Sequence, residues 1–164
     1  NNNIIWVGTW SGGLFRINNN AVYRFTQKDG LTDLSIRGIQ IDPQNNIWVS
    51  TRYGGVCKYD GKSFIAYSTK NGLKSNWVFS VETDYNQNLW FCTANGLTKH
   101  DGYKSVTYDA SNGINSAEII SSTKLDGKLW FLSNSQIFSY KPEEKDNPFS
   151  YPKIIFRQVR FRIN

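Results

Sequence analysis

Groups able to do acid–base, nucleophilic or metal chemistry are few in this chain: one histidine, two cysteines and 13 carboxylates among 164 residues. His100 has no Cys, Glu or second His at ligand or relay spacing, so packing is its expected role and a metal or general-base role the alternative. Cys57 and Cys92 show no C-x-x-C or other metal spacing. Two buried free thiols are expected, the alternative being a disulfide, which needs Cβ atoms within about 4 Å. Arg37, Glu82 and Glu118 are the best catalytic candidates, and none has a matched partner at catalytic spacing. No nucleophile elbow, phosphate loop or zinc signature occurs. The expectation is a chain with no catalytic residue, no metal and no cofactor.

Any site must instead be positioned by a repeat. Trp6, Trp48, Trp90 and Trp130 recur at intervals of 42, 42 and 40 residues inside the apolar runs IIWVGT, NIWVST, NLWFCT and KLWFLS. A period near forty marks an array of supersecondary units, each unable to bury its apolar face alone. After each Trp comes a Gly-Leu-like step, Gly13-Leu14, Gly55-Val56, Gly96-Leu97 and, degenerately, Gln136-Ile137. Next comes a strand ending in Phe25, Tyr67 or Tyr108, followed by a second such pair at Gly30-Leu31, Gly72-Leu73 and Gly113-Ile114.

IRGIQID and VFSVETD alternate apolar and polar residues with period two, and the Gly, Asn and Asp clusters between runs leave no room for ten helical residues. The turns DPQNN, DYNQN, LDGK, YDGK and HDGY carry residues that tolerate the positive φ of tight hairpins. The fold class is therefore all-β, with four antiparallel strands per unit as in the blade of a β-propeller. Residues 4–26 supply three strands of one blade, 36–68 and 78–109 two complete blades, and 117–140 most of another, so about three and a half to four blades span 1–140. An open arc leaves naked sheet edges. With no Met and a start in mid-strand, the chain is expected to be an excerpt, the C-terminal arc of a larger ring. After Tyr140 the charged KPEEKDNPFSYP marks a linker at 141–151, and residues 152–164 read as a strand opening a second all-β domain.

The pattern of a Gly-Leu step, a strand, an Asp turn and Leu/Ile-Trp-φ-x-Thr, standing here as GLTDLSIRGIQIDPQNNIWVSTRYGGV and GLKSNWVFSVETDYNQNLWFCTANGL, resembles the two-component regulator propeller repeat. The tail YPKIIFRQVRFRIN is similar to the first strand of the immunoglobulin-like domain that follows such propellers. The fourth copy departs from the pattern, with SNSQIF in place of Gly-Gly-Leu, as suits a terminal blade. The resemblance implies a seven-bladed ring in the periplasmic sensor region of a hybrid two-component system. Such a region binds an oligosaccharide released from a polysaccharide and signals, as a homodimer, to a histidine kinase. Contact with the membrane would run only through a transmembrane helix outside this chain.

The repeat also serves as a control, since whatever recurs is scaffold and whatever is singular is a candidate. His100 aligns with Ile17, Tyr59 and Tyr140, and Asp42, Asp84 and Asp126 recur as turn carboxylates, as do Asp60 and Asp101. The connections after each Trp strand and between blades share one rim of the meander, and there the copies disagree. The candidate ligand-binding residues are Trp10, Arg52, Tyr53 and Asn95, flanked by Lys28, Asp29, Lys74, Asn76 and Trp77. Trp10, Tyr53 or Trp77 could stack on a sugar ring, while Arg52, Asp29, Asn95 and Asn76 could bond hydroxyls or a carboxylate. Alternatively, Trp77 packs under the rim and Arg52 pairs with a neighbouring blade's acid. The net charge of +6 is scattered, densest at Arg157, Arg160 and Arg162, so no nucleic-acid stripe is expected. A protein-contact propeller and a propeller lyase or glycosidase remain the second and third readings.

Overall fold

A computed structural model describes residues 4–19, 21–114 and 117–141. It contains four antiparallel sheets. The first holds β1 (Ile4–Gly8), β2 (Leu14–Asn18) and β3 (Ala21–Phe25); the second, β4 (Ile36–Ile41), β5 (Ile47–Thr51), β6 (Val56–Tyr59) and β7 (Phe64–Tyr67). The third holds β8 (Val78–Thr83), β9 (Leu89–Thr93), β10 (Gly96–His100) and β11 (Ser105–Tyr108); the last, β12 (Ile119–Leu125), β13 (Lys128–Ser133) and β14 (Ile137–Tyr140). Strand order follows chain order in every sheet, and β4, β8 and β12 lie side by side along the inner edge. This is an arc of propeller blades, as the sequence requires. The linker beyond Lys141 and the strand expected at 152–164, with Arg157, Arg160 and Arg162, lie outside the described residues.

Trp6, Trp48 and Trp90 each pack against the next blade. Trp6 meets Tyr59 at 5.8 Å between ring centroids, Trp48 meets Phe91 at 5.9 Å and His100 at 6.2 Å, and Trp90 meets Phe131 at 5.4 Å and Tyr140 at 4.7 Å. His100 is thus the aromatic that receives Trp48. It is buried among Trp48, Tyr67 and Phe91, with its Nδ1 3.3 Å from Ser105 Oγ, and burial lowers its pKa. The two cysteines are free and buried, and burial pushes Cys92 up to about 11. On the first sheet, Val7 is 38% exposed where its counterpart Val49 is fully buried. The face that Val7 shares with Ile5 has the composition of a blade-to-blade surface.

The glycine of the Gly-Leu step is a steric requirement. Gly13, Gly55 and Gly96 adopt left-handed backbone with φ of 87°, 78° and 119°, and a Cβ at each would collide with the carbonyl oxygen of Phe25, Tyr67 or Tyr108. Between blades, one-turn 3-10 segments form at Gln27–Asp29, Thr69–Asn71 and Ala110–Asn112, each closed by a reciprocal capping box.

At the turn rim the recurring aspartates clasp the tryptophans. Asp42 accepts from the amides of Gln44 and Asn46, from Asn46 Nδ2 and, at 2.9 Å, from Trp48 Nε1. Asp84 repeats this with Asn86, Asn88 and Trp90 Nε1, again at 2.9 Å. Burial alone would raise the pKa of Asp42, but these bonds together hold it below the usual value. Asp126 does not continue the series. Thr83 pairs with Leu89 but Lys124 with Leu129, so the turn is one residue shorter. Asp126 (φ 51°) and Gly127 (φ 72°) form a tight hairpin instead, leaving Trp130 Nε1 buried without a partner among the described residues.

Candidate functional site

The opposite rim is built by the loops after β1, β5, β9 and β13 and by the links between blades. They are tied together by Ile36 N to Thr9 O (2.9 Å), Arg52 N to Ser35 O (3.0 Å), Gly55 N to Asn76 O (2.9 Å) and Ala94 N to Trp77 O (3.0 Å). Asp33 braces the loop from below, accepting from Ser35 N at 3.0 Å and Tyr53 N at 2.8 Å.

The inner strands contribute a further device. Pairing of β4 with β5 slips between Ile36 and Gly38, that of β8 with β9 between Val78 and Ser80, and that of β12 with β13 between Ile119 and Ser121. The skipped residues are Arg37, Phe79 and Ile120. An irregularity of this kind re-aims the side chain of the extra residue, here beside the rim loops. Gly38 suits the bend, since a Cβ there would crowd Ser50 Oγ at 2.9 Å.

Together these elements make a cation–aromatic cluster across three sheets. Arg37 Cζ lies 4.5 Å from the Trp10 ring centroid and 5.8 Å from that of Phe79. Arg52 Cζ lies 5.0 Å from Tyr53, 5.3 Å from Trp77 and 5.8 Å from Trp10. Trp77 in turn packs on Phe79 at 5.3 Å and Tyr53 at 6.0 Å. Each cation–π contact at such a site contributes roughly 0.5–1 kcal/mol. The cluster stays open to solvent, with Trp10 63% and Tyr53 62% exposed. Arg52 Nε and Trp77 Nε1 are buried with no acceptor among the described residues.

Of the nine candidates from the sequence, Trp10, Arg52, Tyr53 and Trp77 converge. Trp77 is half-buried, as its packing alternative required, yet it belongs to the cluster. Arg52 meets aromatic rings where an acid was the alternative. Three others are held by the scaffold. Asp29 Oδ2 closes a capping box on Thr26 N at 2.7 Å, Asn76 Oδ1 accepts Thr69 N at 2.8 Å, and Lys74 Nζ pairs with Asp109 at 2.5 Å. Hydrogen bonds from Lys74 and Ser111 hold the Asp109 carboxyl far below the ordinary range. Asp29 occupies the slot that Asn71 and Asn112 fill in the next blades, a recurrence visible in the sequence and overlooked there. Lys28 and Asn95 are exposed, and among the described residues only their amides bond locally, to Thr26 Oγ1 and Thr93 Oγ1.

Arg37 and Phe79 are the members that the binding-site reading missed. The acids that accompany Arg37 as catalytic candidates lie elsewhere: Glu82 stands 3.7 Å from Lys124, while Glu118 accepts from Asn134 Nδ2 at 2.7 Å. Among the described residues no group of three His, Cys, Asp or Glu could hold a metal ion.

Fold and rim define a β-propeller arc. Within it, residues 30–53 match the family model of the two component regulator propeller. The chain is similar to the extracellular domain described as that of hybrid two component system BT3049 from B. thetaiotaomicron. That likeness has TM-score 0.74 and 22% identity over 84% of this chain and 20% of that one. The corresponding domain of BT4673 from the same organism gives 0.71 and 22% over 85% and 22%. A catalytically inactive virginiamycin B lyase from Staphylococcus aureus, with quinupristin, gives 0.66 and 16% over 84% and 48%. The chain spans about a fifth of the first two structures. No curated protein matches it in sequence.

Proposed function

We propose that this arc is a non-catalytic part of the periplasmic sensor region of a hybrid two-component system. In this reading the open rim binds a polysaccharide-derived oligosaccharide, and the sensor, as a homodimer, signals to a histidine kinase through a membrane helix outside this chain. The observation that carries the reading is the pair of largely exposed rings, Trp10 and Tyr53, with guanidinium carbons 4.5 and 5.0 Å from their centroids, on the variable rim of the scaffold. Rigid aromatic faces beside hydrogen-bond donors suit the apolar face and hydroxyls of a sugar. The repeat matched at residues 30–53 supports the sensor class. The catalytic alternative has less support. His100 is committed to the blade interface, and Arg37, Glu82 and Glu118 engage three different sets of neighbours.

Calorimetric screening of the full protein against oligosaccharides tests the proposal. A binder should lose at least about tenfold in affinity with Trp10→Ala. Unchanged affinity in both Trp10→Ala and Arg52→Ala would remove this rim from the site.

A further inference from the structure

The charge of the rim cluster points to the class of its ligand. Arg37 and Arg52 both lie within 5.8 Å of the Trp10 ring, two like charges on one indole. Neither makes an ion pair with a carboxylate among the described residues. The acids of this rim are already engaged: Asp33 by the amides of Ser35 and Tyr53, Asp29 by its capping box, Glu118 by Asn134. The Asp33 contacts matter most, because they hold the neighbouring carboxylate beneath the loop on backbone donors.

The two guanidinium carbons lie over aromatic rings, and their N–H groups donate to no acceptor among the described residues. The planar guanidinium fork matches the two oxygens of an oxyanion. Arg52 is half-buried with Nε already shielded from water, so its remaining donors act in a partly desolvated setting. Beside them stand the exposed faces of Trp10 and Tyr53. An isolated anion would use only the guanidinium charges, and a neutral sugar the rings and N–H donors but not the charges. A sugar ring carrying an anionic group uses rings and charges together.

Resting on the oligosaccharide reading above, we propose that the ligand is an anionic saccharide. Its carboxylate or sulfate ester is held by the N–H edges of Arg37 and Arg52, and its ring lies against Trp10 or Tyr53. The net charge of +6 favours the approach of such a ligand.

The test is titration calorimetry on the full protein with tetragalacturonate, neocarratetraose sulfate and neutral maltotetraose. The expected result is that one of the two anionic probes binds at least about tenfold more tightly than maltotetraose, with affinity that falls as salt rises. Which anionic probe wins separates the carboxylate from the sulfate source. Arg37→Gln and Arg52→Gln should each weaken that binding by about tenfold or more, the loss of a charge-assisted bond, while the melting temperature of the free protein holds. Arg37→Lys and Arg52→Lys keep the charge without the fork and should fall between. If the Gln variants do not fold, the Lys variants decide the matter. Maltotetraose binding as tightly as the anions, or anion binding unmoved by the Arg substitutions, would overturn the anionic class. The oligosaccharide reading would survive that result provided Trp10→Ala still weakened binding. Binding of none of the three probes would overturn both.

Discussion

At the turn rim, Asp42 and Asp84 each accept four hydrogen bonds, one of them from a buried indole, and every lone pair has a repeated donor. At the loop rim of the same blades, two guanidiniums rest on aromatic rings with no acid opposite them among the described residues. The backbone geometry is shared, yet one rim satisfies its charges internally and the other leaves donors available. Buried polar groups are costly when unpaired, so a scaffold position closes its network. Solvent pairs an exposed cation until a ligand replaces it. The difference separates residues that hold blades together from residues that meet something outside.

The largest expected effect is at the turn rim. Asp84→Ala strips four donors of their acceptor, including the fully buried Trp90 indole, and should cost about 3 kcal/mol or more in chemical denaturation. A loss equal to that of Arg52→Gln would break the comparison. Next, replacing Leu125–Lys128 with the five-residue turn Asp84–Asn88 would offer Trp130 the acceptor it lacks, with an expected gain of about 1–2 kcal/mol. No gain would show that the shorter hairpin already satisfies this blade.

A pH-confined effect follows from His100. Its folded pKa is depressed by burial, so the neutral ring is the favoured form and the stability it contributes is complete above about pH 6.5. That contribution is lost as pH falls below this value. Asp101 works against the shift and Lys58 with it. His100→Tyr, the residue found at Tyr59 and Tyr140, should flatten this part of the stability curve in urea titrations across pH. Asp42, held below its usual pKa, contributes stability that is lost only at lower pH, through and below about pH 4. The smallest effect is Arg52→Gln on the free protein, about 1 kcal/mol, because contacts that share one half-exposed guanidinium do not add and Gln keeps part of the packing on the rings. A larger loss would make Arg52 scaffold.

Much of this was legible in the chain. The 42-residue tryptophan spacing determined the blades, their strand order and the assignment of His100 to packing, because each copy must bury the same faces against its neighbour. Comparing copies also pointed to Trp10, Arg52, Tyr53 and Trp77. It missed the capping role of Asp29 because Asn71 and Asn112 do the same work with a different residue type; Asp126 is a turn carboxylate as expected, but identity in a turn does not reveal its length. Arg37 and Phe79 were invisible as partners. Their side chains reach the rim only because one residue is skipped in the pairing of β4 with β5 and of β8 with β9, and period-two alternation hides such a slip. The sequence by itself determined the repeating fold, since hydrophobic periodicity and turn chemistry are local and copied. The tertiary structure alone decided which charges stay unpaired, since that depends on Arg37 and Arg52, 27 and 42 positions from Trp10, being brought onto its ring by the packing of blades.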